Sequence, residues 1–542
     1  MVGHAHDPGA GPPWPEDQAT APMTRGPAAA PAAQEQPLPP TVAALSRRSA
    51  LLLASLVAFG AGFLGGVIAP RGPTTTGEAL LAMAGALAVG LVGGALARSR
   101  WALVTGMLAA TVGVEIARRS LATPSLEIRF DNVYGVIAFV ITRGVHGLLL
   151  VLPMAAGVLA GIGLARRLEG ATRRGRLPIG SWLVGVASIA LAVLVAWPAS
   201  TPPVLAEDGG PARDGIAELA TVRVGGTDQA LLIRAVDADR PVLLYLSGGP
   251  GQSDLALARV LSEPWTRDFV VADLDQRGNG KSYPAIDPVT DMTLDRAVSD
   301  VIEVTEYLAE RFDEPRVYLV GESWGTILGV LAVQRRPDLY HAFLGSGQMV
   351  DVLETDRRIY RDLVAYAARA GDTGLAAKLA EIGAPPYRDM PWANSNLLAW
   401  YEHLYKPYSP STGYLARGAA SGLDPFGALG SEYAFIEKTN VLRGLIDTFS
   451  VMYPQLYTLD FRESATRLEV PVYLLDGAAE LDGRRSLALE WFEALEAPLK
   501  ERVTFEGAAH SVAFEQADEV LRLLNETIVP ATYGVTGADG TP

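Results

Sequence analysis

The chain contains no cysteine. Disulfides, thiolate metal sites and cysteine nucleophiles are therefore excluded, and cysteine usage says nothing about redox compartment. Histidine is scarce, with six in 542 residues. Charge is thin as well: 19% of residues are Asp, Glu, Lys or Arg against 49% hydrophobic, a balance that points to membrane segments. The charge that is present is mostly negative, and a formal net charge of −15 argues against a nucleic-acid partner. The clearest apolar runs carry no acidic or basic residue near their middle. Intramembrane ionisable groups mark transport paths, so their absence weighs against a transporter.

The apolar residues are concentrated. Residues 1–45 are a Pro/Ala-rich tail that cannot bury a core and is expected to be disordered, with His4 and His6 in it no more than incidental. Residues 46–198 are dominated by Ala, Leu, Val and Gly, with apolar stretches at 49–69, 79–97, 101–116, 144–165 and 181–198. Crossing a bilayer core takes roughly 20 helical residues. The third stretch is short and runs into Glu115. A signal peptide is not expected, because the first apolar run starts near residue 49 and others follow it. Arg47 and Arg48 precede the first run, Arg98 and Arg100 lie between the second and third, and Arg166, Arg167, Arg173, Arg174 and Arg176 lie between the fourth and fifth. The positive-inside rule makes those segments cytoplasmic and, with five crossings, puts everything after Pro198 outside. Arg118, Arg119, Arg129 and Arg143 then lie outside, and if the third stretch does not cross, the parity reverses. Gly62/Gly66, Gly90/Gly94 and Gly157/Gly161 are Gly-x-x-x-Gly pairs that suit close helix packing within the chain or, as the sharper reading, dimerisation.

After a linker at 199–219 the pattern changes to short β-branched runs alternating with helical ones, which indicates a mostly parallel sheet covered on both faces. One run, Arg316–Val320, leads into Gly321-Glu322-Ser323-Trp324-Gly325 and then an apolar helix. Strand, G-x-S-x-G, helix is the context of a nucleophile elbow. A serine hydroxyl is a weak nucleophile alone, so a histidine base and an orienting acid are expected downstream. His510 follows the last strand and precedes a final helix; His403, His341 and His146 are placed unsuitably. The acid should follow the strand Val470–Leu475. Glu480 has the preferred spacing, Asp482 is the alternative, and Asp476 reads as structural; Asp351 is more remote. Negative charge on an attacked carbonyl needs two N–H donors. Trp324 would supply one and Gly249, or less well Gly248, the other. No metal or organic cofactor is called for.

Ser247-Gly248-Gly249-Pro250-Gly251, Asp275-Gln276-Arg277-Gly278 and Gly321-Glu322-Ser323-Trp324-Gly325, in that order, resemble the proline iminopeptidase branch of α/β-hydrolases, peptidase family S33, over about residues 215–530. Together with the apolar runs, the resemblance implies an α-helical membrane bundle of about five helices followed by an α/β-hydrolase fold with a helical cap. Its parts would be a core at 220–349, a cap at 350–465, a core again at 466–532 and a flexible tail at 533–542. It implies an aminopeptidase acting on short peptides, with cap carboxylates holding the substrate amine. Glu402, in Trp400-Tyr401-Glu402, and Glu432 and Glu437 are the candidates. Ser247 stands where the family has histidine and Glu322 where it has glycine, departures that bear on substrate rather than on acyl-transfer chemistry. Serine at 323 argues against an epoxide hydrolase or dehalogenase, which use aspartate there. A carboxylesterase or lipase-type hydrolase of small acyl esters is the alternative within enzymes. A non-catalytic membrane sensor or binding module is the alternative outside them. The expected partners are a short peptide or small acyl substrate and the lipid bilayer.

Overall fold

A computed structural model describes residues 46–119, 130, 133–169, 179–387, 390, 392–405, 408–421 and 427–534. The expected N-terminal tail with His4 and His6, residues 535–542, and Arg129, Arg173, Arg174 and Arg176 lie outside the described residues.

Among the described residues, five helices are long and apolar enough to cross a bilayer: α1 (Arg47–Ile68), α2 (Thr76–Ala97), α3 (Trp101–Arg118), α4 (Gly135–Leu168) and α5 (Ile179–Ala196). The short third run becomes 18 helical residues, about 27 Å at 1.5 Å per residue, so it reaches span length. Glu115 does not end it, because Arg118 (3.0 Å) and Arg143 (3.4 Å) neutralise the carboxylate. For the same reason α4 starts well before the apolar run at 144: Arg143 is paired, and Thr142 returns its hydroxyl to Ala138 O at 2.6 Å. A π-helical turn covers Val140–Gly144. The N-terminus of α2 is sealed by a capping box, with Thr75 Oγ1 accepting from Glu78 N (3.1 Å) and Glu78 accepting from Thr75 N (3.3 Å).

All three glycine pairs pack helix on helix inside the chain. A Cβ on Gly62 would meet the backbone of Ala110 in α3, and one on Gly66 would meet Val114 and Ala117. Gly90 and Gly94 of α2 lie against the Met154 and Val158 carbonyls of α4, and Gly157 and Gly161 of α4 lie against Leu87 and Leu91 of α2. Two glycine stripes thus face each other, and the backbones approach as only residues without side chains permit.

The C-terminal part is built on an eight-stranded sheet in the order β1-β2-β4-β3-β5-β6-β7-β8. The strands are β1 (Ile216–Val224), β2 (Thr227–Ala235), β3 (Val242–Leu246), β4 (Val270–Asp275), β5 (Val317–Glu322), β6 (Tyr340–Ser346), β7 (Val472–Gly477) and β8 (Lys500–Phe505). β1–β2 and β2–β4 pair antiparallel, and the remaining pairs are parallel. Every residue of β3, β4 and β5 is buried. Alternation sends Leu244 and Leu246 to one core and Leu243 and Tyr245 to the other, so both sheet faces are covered. The covering helices include α6 (Leu255–Leu261), α7 (Leu294–Phe312) and α8 (Trp324–Arg335). The 199–219 segment is less free than a linker. Ser200 N–H donates to Ser431 O at 2.8 Å, and Arg234 holds Thr201 Oγ1 (3.0 Å) and Pro202 O (2.7 Å).

Between β6 and β7 comes a helical cap: α9 (Val352–Ala370), α10 (Thr373–Ile382), α11 (Trp392–Trp400), α12 (Glu402–Tyr405), α13 (Thr412–Ser421) and α14 (Phe435–Met452); α15 (Asp482–Ala494) follows β7. The cap is joined to the helical bundle through α14. Phe435 and Ile436 pack with Ala79, Met83, Leu149, Leu191 and Val195. Arg443 is buried and donates to Pro73 O (2.8 Å) and Ile141 O (3.4 Å), and Asn440 donates to Thr74 O (2.7 Å). Arg71, in the α1–α2 loop, pairs with Asp287 at 3.0 Å.

Replacing Gly161 by Val drives a branched side chain into the Leu91 carbonyl. It should lower the thermal unfolding midpoint of the detergent-solubilised protein, with an overpacking cost of about 1–3 kcal/mol. Gly85→Ala, where a Cβ meets nothing within 4 Å, should leave the midpoint unchanged or raise it slightly.

Candidate active site

Among the described residues, three without a glycine's freedom have positive φ: Arg98, Asp313 and Ser323. Arg98 (ψ 26°) and Asp313 (ψ 36°) are left-handed helix C-caps, a tolerated conformation. Ser323 has φ 54° and ψ −117°, outside any region that L-residues favour. It persists because the surroundings determine it. Ser323 N donates to Ser346 O (2.9 Å) on β6, and its carbonyl accepts from Thr326 N (2.9 Å) and Thr326 Oγ1 (2.5 Å). The flanking glycines make the turn sterically possible. A Cβ on Gly321 would lie 2.6 Å from Gly325 O, and one on Gly325 would strike the Leu246 carbonyl. Strain concentrated at one cavity-facing hydroxyl is a mark of a functional position.

The Ser247–Gly251 turn after β3 lies against this serine: a Cβ on Gly248 would sit 3.3 Å from Ser323 Cβ. Gly249 has φ 116° and no room for a side chain, which would approach Gly251 N at 2.7 Å. Ser247 braces the turn, donating to Gln252 O (3.3 Å) and accepting from Gln276 Nε2 (3.2 Å). Gln276 in turn accepts from Trp324 Nε1 (2.7 Å). The Asp275-Gln276-Arg277-Gly278 motif thereby joins the turn to the residue after the serine. Gly249 and Trp324 both line the cavity that Ser323 enters.

His510 Nδ1 is hydrogen-bonded to Glu480 Oε2. Glu480 is buried, and its other oxygen accepts from Leu481 N (2.6 Å), Arg484 Nη1 (3.0 Å) and Tyr405 OH (3.1 Å). Burial pushes this carboxyl up. The Arg484 charge, the His510 imidazole and the Leu481 N–H outweigh it and hold the carboxyl down to about 2. An ionised Glu480 offers only acceptors, so Nδ1 carries the proton and Nε2 is left as the basic nitrogen. His510 is half-buried and lines the same cavity as Ser323. Its floor is Gly347 (φ 59°), where a Cβ would lie 2.7 Å from the imidazole.

Asp482 is exposed at the first turn of α15, away from the imidazole. Asp476 receives both arms of Arg485 (2.8 Å each) and Thr504 Oγ1 (3.0 Å), and Asp351 caps α9 by accepting from Glu354 N at 2.9 Å. His341 stacks on Tyr318 and His403 on Tyr366. Glu402 lines the cavity. Glu432 and Glu437 do not line it, which corrects the expectation of an amine contact there. Glu432 is fully buried against Arg259 (2.5 Å), and Glu437 pairs with Lys281 (2.6 Å) and caps α14 at Ala434 N (2.7 Å). Both carboxylates, just before and within the first turn of α14, are held in ion pairs with Arg259 and Lys281.

The cavity holds about 820 Å³, room for a drug-sized or short-peptide ligand. Three features of its lining were not singled out from the sequence as cavity groups. Arg484 was detectable as the i+4 partner of Glu480. Asp356 on α9 is buried, accepts from Tyr453 OH (2.9 Å) and Tyr457 OH (3.1 Å), and is pushed up to about 7 by burial; nothing local marked it. Glu322, beside the nucleophile, accepts from Tyr245 OH (2.9 Å) and Ser511 Oγ (2.8 Å). Burial, and secondarily the Asp254 charge, push it up to about 8.

The alpha/beta hydrolase fold family matches residues 241–369. The C-terminal part has the α/β-hydrolase fold. A protein named as the probable aminopeptidase YbaC of Bacillus subtilis (strain 168) is 29% identical over 310 residues, 56% of this chain and 94% of that protein. Among solved structures, the proline iminopeptidase-related protein of Thermus thermophilus is 20% identical. The match covers 58% of this chain and 98% of that one, with a TM-score of 0.39. The proline iminopeptidase of Mycobacterium smegmatis is 16% identical over 58% of this chain and all of its own (100%), with a TM-score of 0.41. The family match and the named relative support a hydrolase.

A carboxyl raised from 4.5 to about 8 binds its proton in the folded state and not in the unfolded one between those values. The stability it contributes is complete below pH 4.5 and is lost as pH rises through about 8. Glu322→Gln, which keeps the shape without the titration, should flatten the decline in unfolding midpoint over that window. It should also blunt any loss of kcat/KM above pH 8, where the wild type places a new negative charge beside Ser323. A decline of equal steepness in both proteins would remove Glu322 as its source.

Proposed function

We propose that the chain is a membrane-anchored serine hydrolase, an aminopeptidase that removes N-terminal residues from short peptides through an acyl-enzyme. The observation that carries this reading is the shared cavity. A serine strained into an elbow and a histidine whose proton is fixed on the Glu480 side both face it.

Ser323 Oγ adds to the scissile carbonyl carbon while its proton passes to His510 Nε2. The oxyanion is held by the backbone N–H groups of Gly249 and Trp324, one such donor being worth about 3–4 kcal/mol. Collapse breaks the C–N bond, and the departing amine takes the proton from His510. Water, deprotonated by the same nitrogen, then hydrolyses the Ser323 ester and restores both groups. Glu480 keeps the imidazole in its working tautomer and stabilises the imidazolium; Arg484 and Tyr405 keep Glu480 ionised and in place. An N-terminal ammonium suits the acidic wall of the cavity, where Asp356 and Glu402 stand. A cation there would favour ionised Asp356, whose protonation near neutrality leaves it responsive.

The five apolar helices serve as a multi-pass anchor in the cell membrane. An odd number of crossings carries the catalytic part to the extracytoplasmic side. The span length of α3 supports this parity, as does the way the α1–α2 loop and the cap meet on one side. The exposed large apolar side chains along the helices, such as Leu52, Leu56, Leu81 and Leu183, are suited to lipid.

A fluorophosphonate probe should label the solubilised full chain and not Ser323→Ala; labelling that persists would overturn the assignment. Glu480→Gln should retain the fold and lose about 10²–10⁴ in kcat through the wrong imidazole tautomer. Alanyl- and prolyl-naphthylamides should be turned over. Hydrolysis of p-nitrophenyl esters alone would reject the peptidase and leave the esterase. Protease accessibility of the C-terminal part in intact cells tests the orientation.

A further inference from the structure

The catalytic cavity is walled partly by the helical bundle. Ile137, near the start of α4, lines it beside Leu442, Leu445 and Ile446 of α14. The same helix α14 that presents these apolar residues to the cavity buries Ile436 among α2, α4 and α5 residues and ties Arg443 to the backbone of Pro73 and Ile141. The cap is therefore fixed to the bundle through α14, and a residue of a bilayer-length span lines the cavity beside it. Along α4, Val140, Leu148 and Val151 follow Ile137 at i+3, i+11 and i+14 and are 50%, 47% and 38% exposed. The π-helical turn at Val140–Gly144 shifts the period between them, and all three still present exposed apolar side chains, so outward apolar surface continues from the cavity wall down the span. The same cavity is also lined by the carboxyl groups of Asp356, Glu402, Glu322 and Glu515 and by Arg484.

We infer that the substrate is a membrane-resident amphiphile: an α-aminoacyl or short peptidyl group joined by an amide or ester bond to a hydrocarbon tail. The ammonium end lies at the cavity carboxyls, the scissile carbonyl at Ser323, and the tail leaves past Ile137 along the exposed apolar surface of α4 into the bilayer. This rests on the serine-hydrolase reading and deepens it: the multi-pass anchor becomes part of substrate recognition as well as a tether. Carboxyl groups and a bundle-derived apolar side chain in one cavity match a molecule with a cationic head and an apolar tail better than they match a free hydrophilic peptide.

The experiment uses the full chain in nanodiscs with two substrates that differ only in the tail, alanyl-anilide and alanyl-4-dodecylanilide, assayed in wild type and Ile137→Glu. A tail concentrates substrate on the disc for any membrane-bound enzyme, so the deciding readout is the ratio of kcat/KM for the long over the short substrate. Ile137→Glu puts a charge in the tail's path without changing partition. It should lower that ratio at least about tenfold. Fluorophosphonate labelling of the variant at Ser323 confirms that its site is intact. If that variant folds poorly, Ile137→Ser takes its place and should lower the ratio in the same direction, while Ile137→Leu should keep the wild-type ratio. A ratio equal in wild type and in a labelled polar variant overturns the inference while leaving the hydrolase standing. Absence of turnover on both substrates by wild type overturns the aminopeptidase reading itself, and this inference with it.

Discussion

Serine holds φ 54° and ψ −117° only where neighbouring backbone leaves it no alternative. Here the constraint is the contact of Gly321 with Gly325 and of Gly325 with the end of β3, which brings β5, α8 and β3 closer than any side chain would allow. Around that point the rest of the site is arranged. The β3 turn can lie against Ser323 because Gly248 has no side chain, and Gln276 ties that turn to Trp324. Gly347 gives His510 the same closeness on the opposite side. Parallel strands buried on both faces supply the rigid ends from which these loops project.

The electrostatics divide the acidic groups into two kinds. The side chains of Glu480 and Glu322 are both buried, yet one is held down to about 2 and the other pushed up to about 8. The difference lies in partners. Glu480 faces a guanidinium, an imidazole and a backbone N–H, whereas Glu322 faces two neutral hydroxyls and other acids. Opposed shifts in two buried carboxyls thus follow from opposite surroundings: cationic and N–H partners keep one charged, and hydroxyls with nearby acids leave the other neutral. Arg484 is the largest of the influences that hold Glu480 down against burial.

The helical bundle and the hydrolase are welded rather than strung together. Arg443 is buried with its donors aimed at main-chain carbonyls of the α1–α2 loop and of α4, and Arg71 answers from the bundle to Asp287. A cap tethered only by its own loops is free to move on them. Here one cap helix, α14, shares a core with the bundle helices.

Much of this was legible in the residues. The strands, the elbow, the Glu480 and His510 positions and the apolar helices are signalled by period, by turn glycines and by spacing, because each depends on neighbours in the chain. The Gly-x-x-x-Gly pairs declared close packing, although not that α2 and α4 would face each other with both of theirs. What stayed hidden depended on contacts across the fold. α4 began earlier than its hydropathy suggested because Arg143 finds Glu115 on another helix. Glu432 and Glu437 looked as available as Glu402 until Arg259 and Lys281 were seen to claim them. Asp356 had no local mark at all. The sequence alone determined the layered fold and the candidate chemistry at the elbow, since glycine, serine and periodic apolar residues act through local backbone geometry. Tertiary structure alone decided which carboxylates face the cavity, which are charged, and that a membrane-length helix forms its wall. Burial and partner distance are properties of segments brought together, not of any one of them.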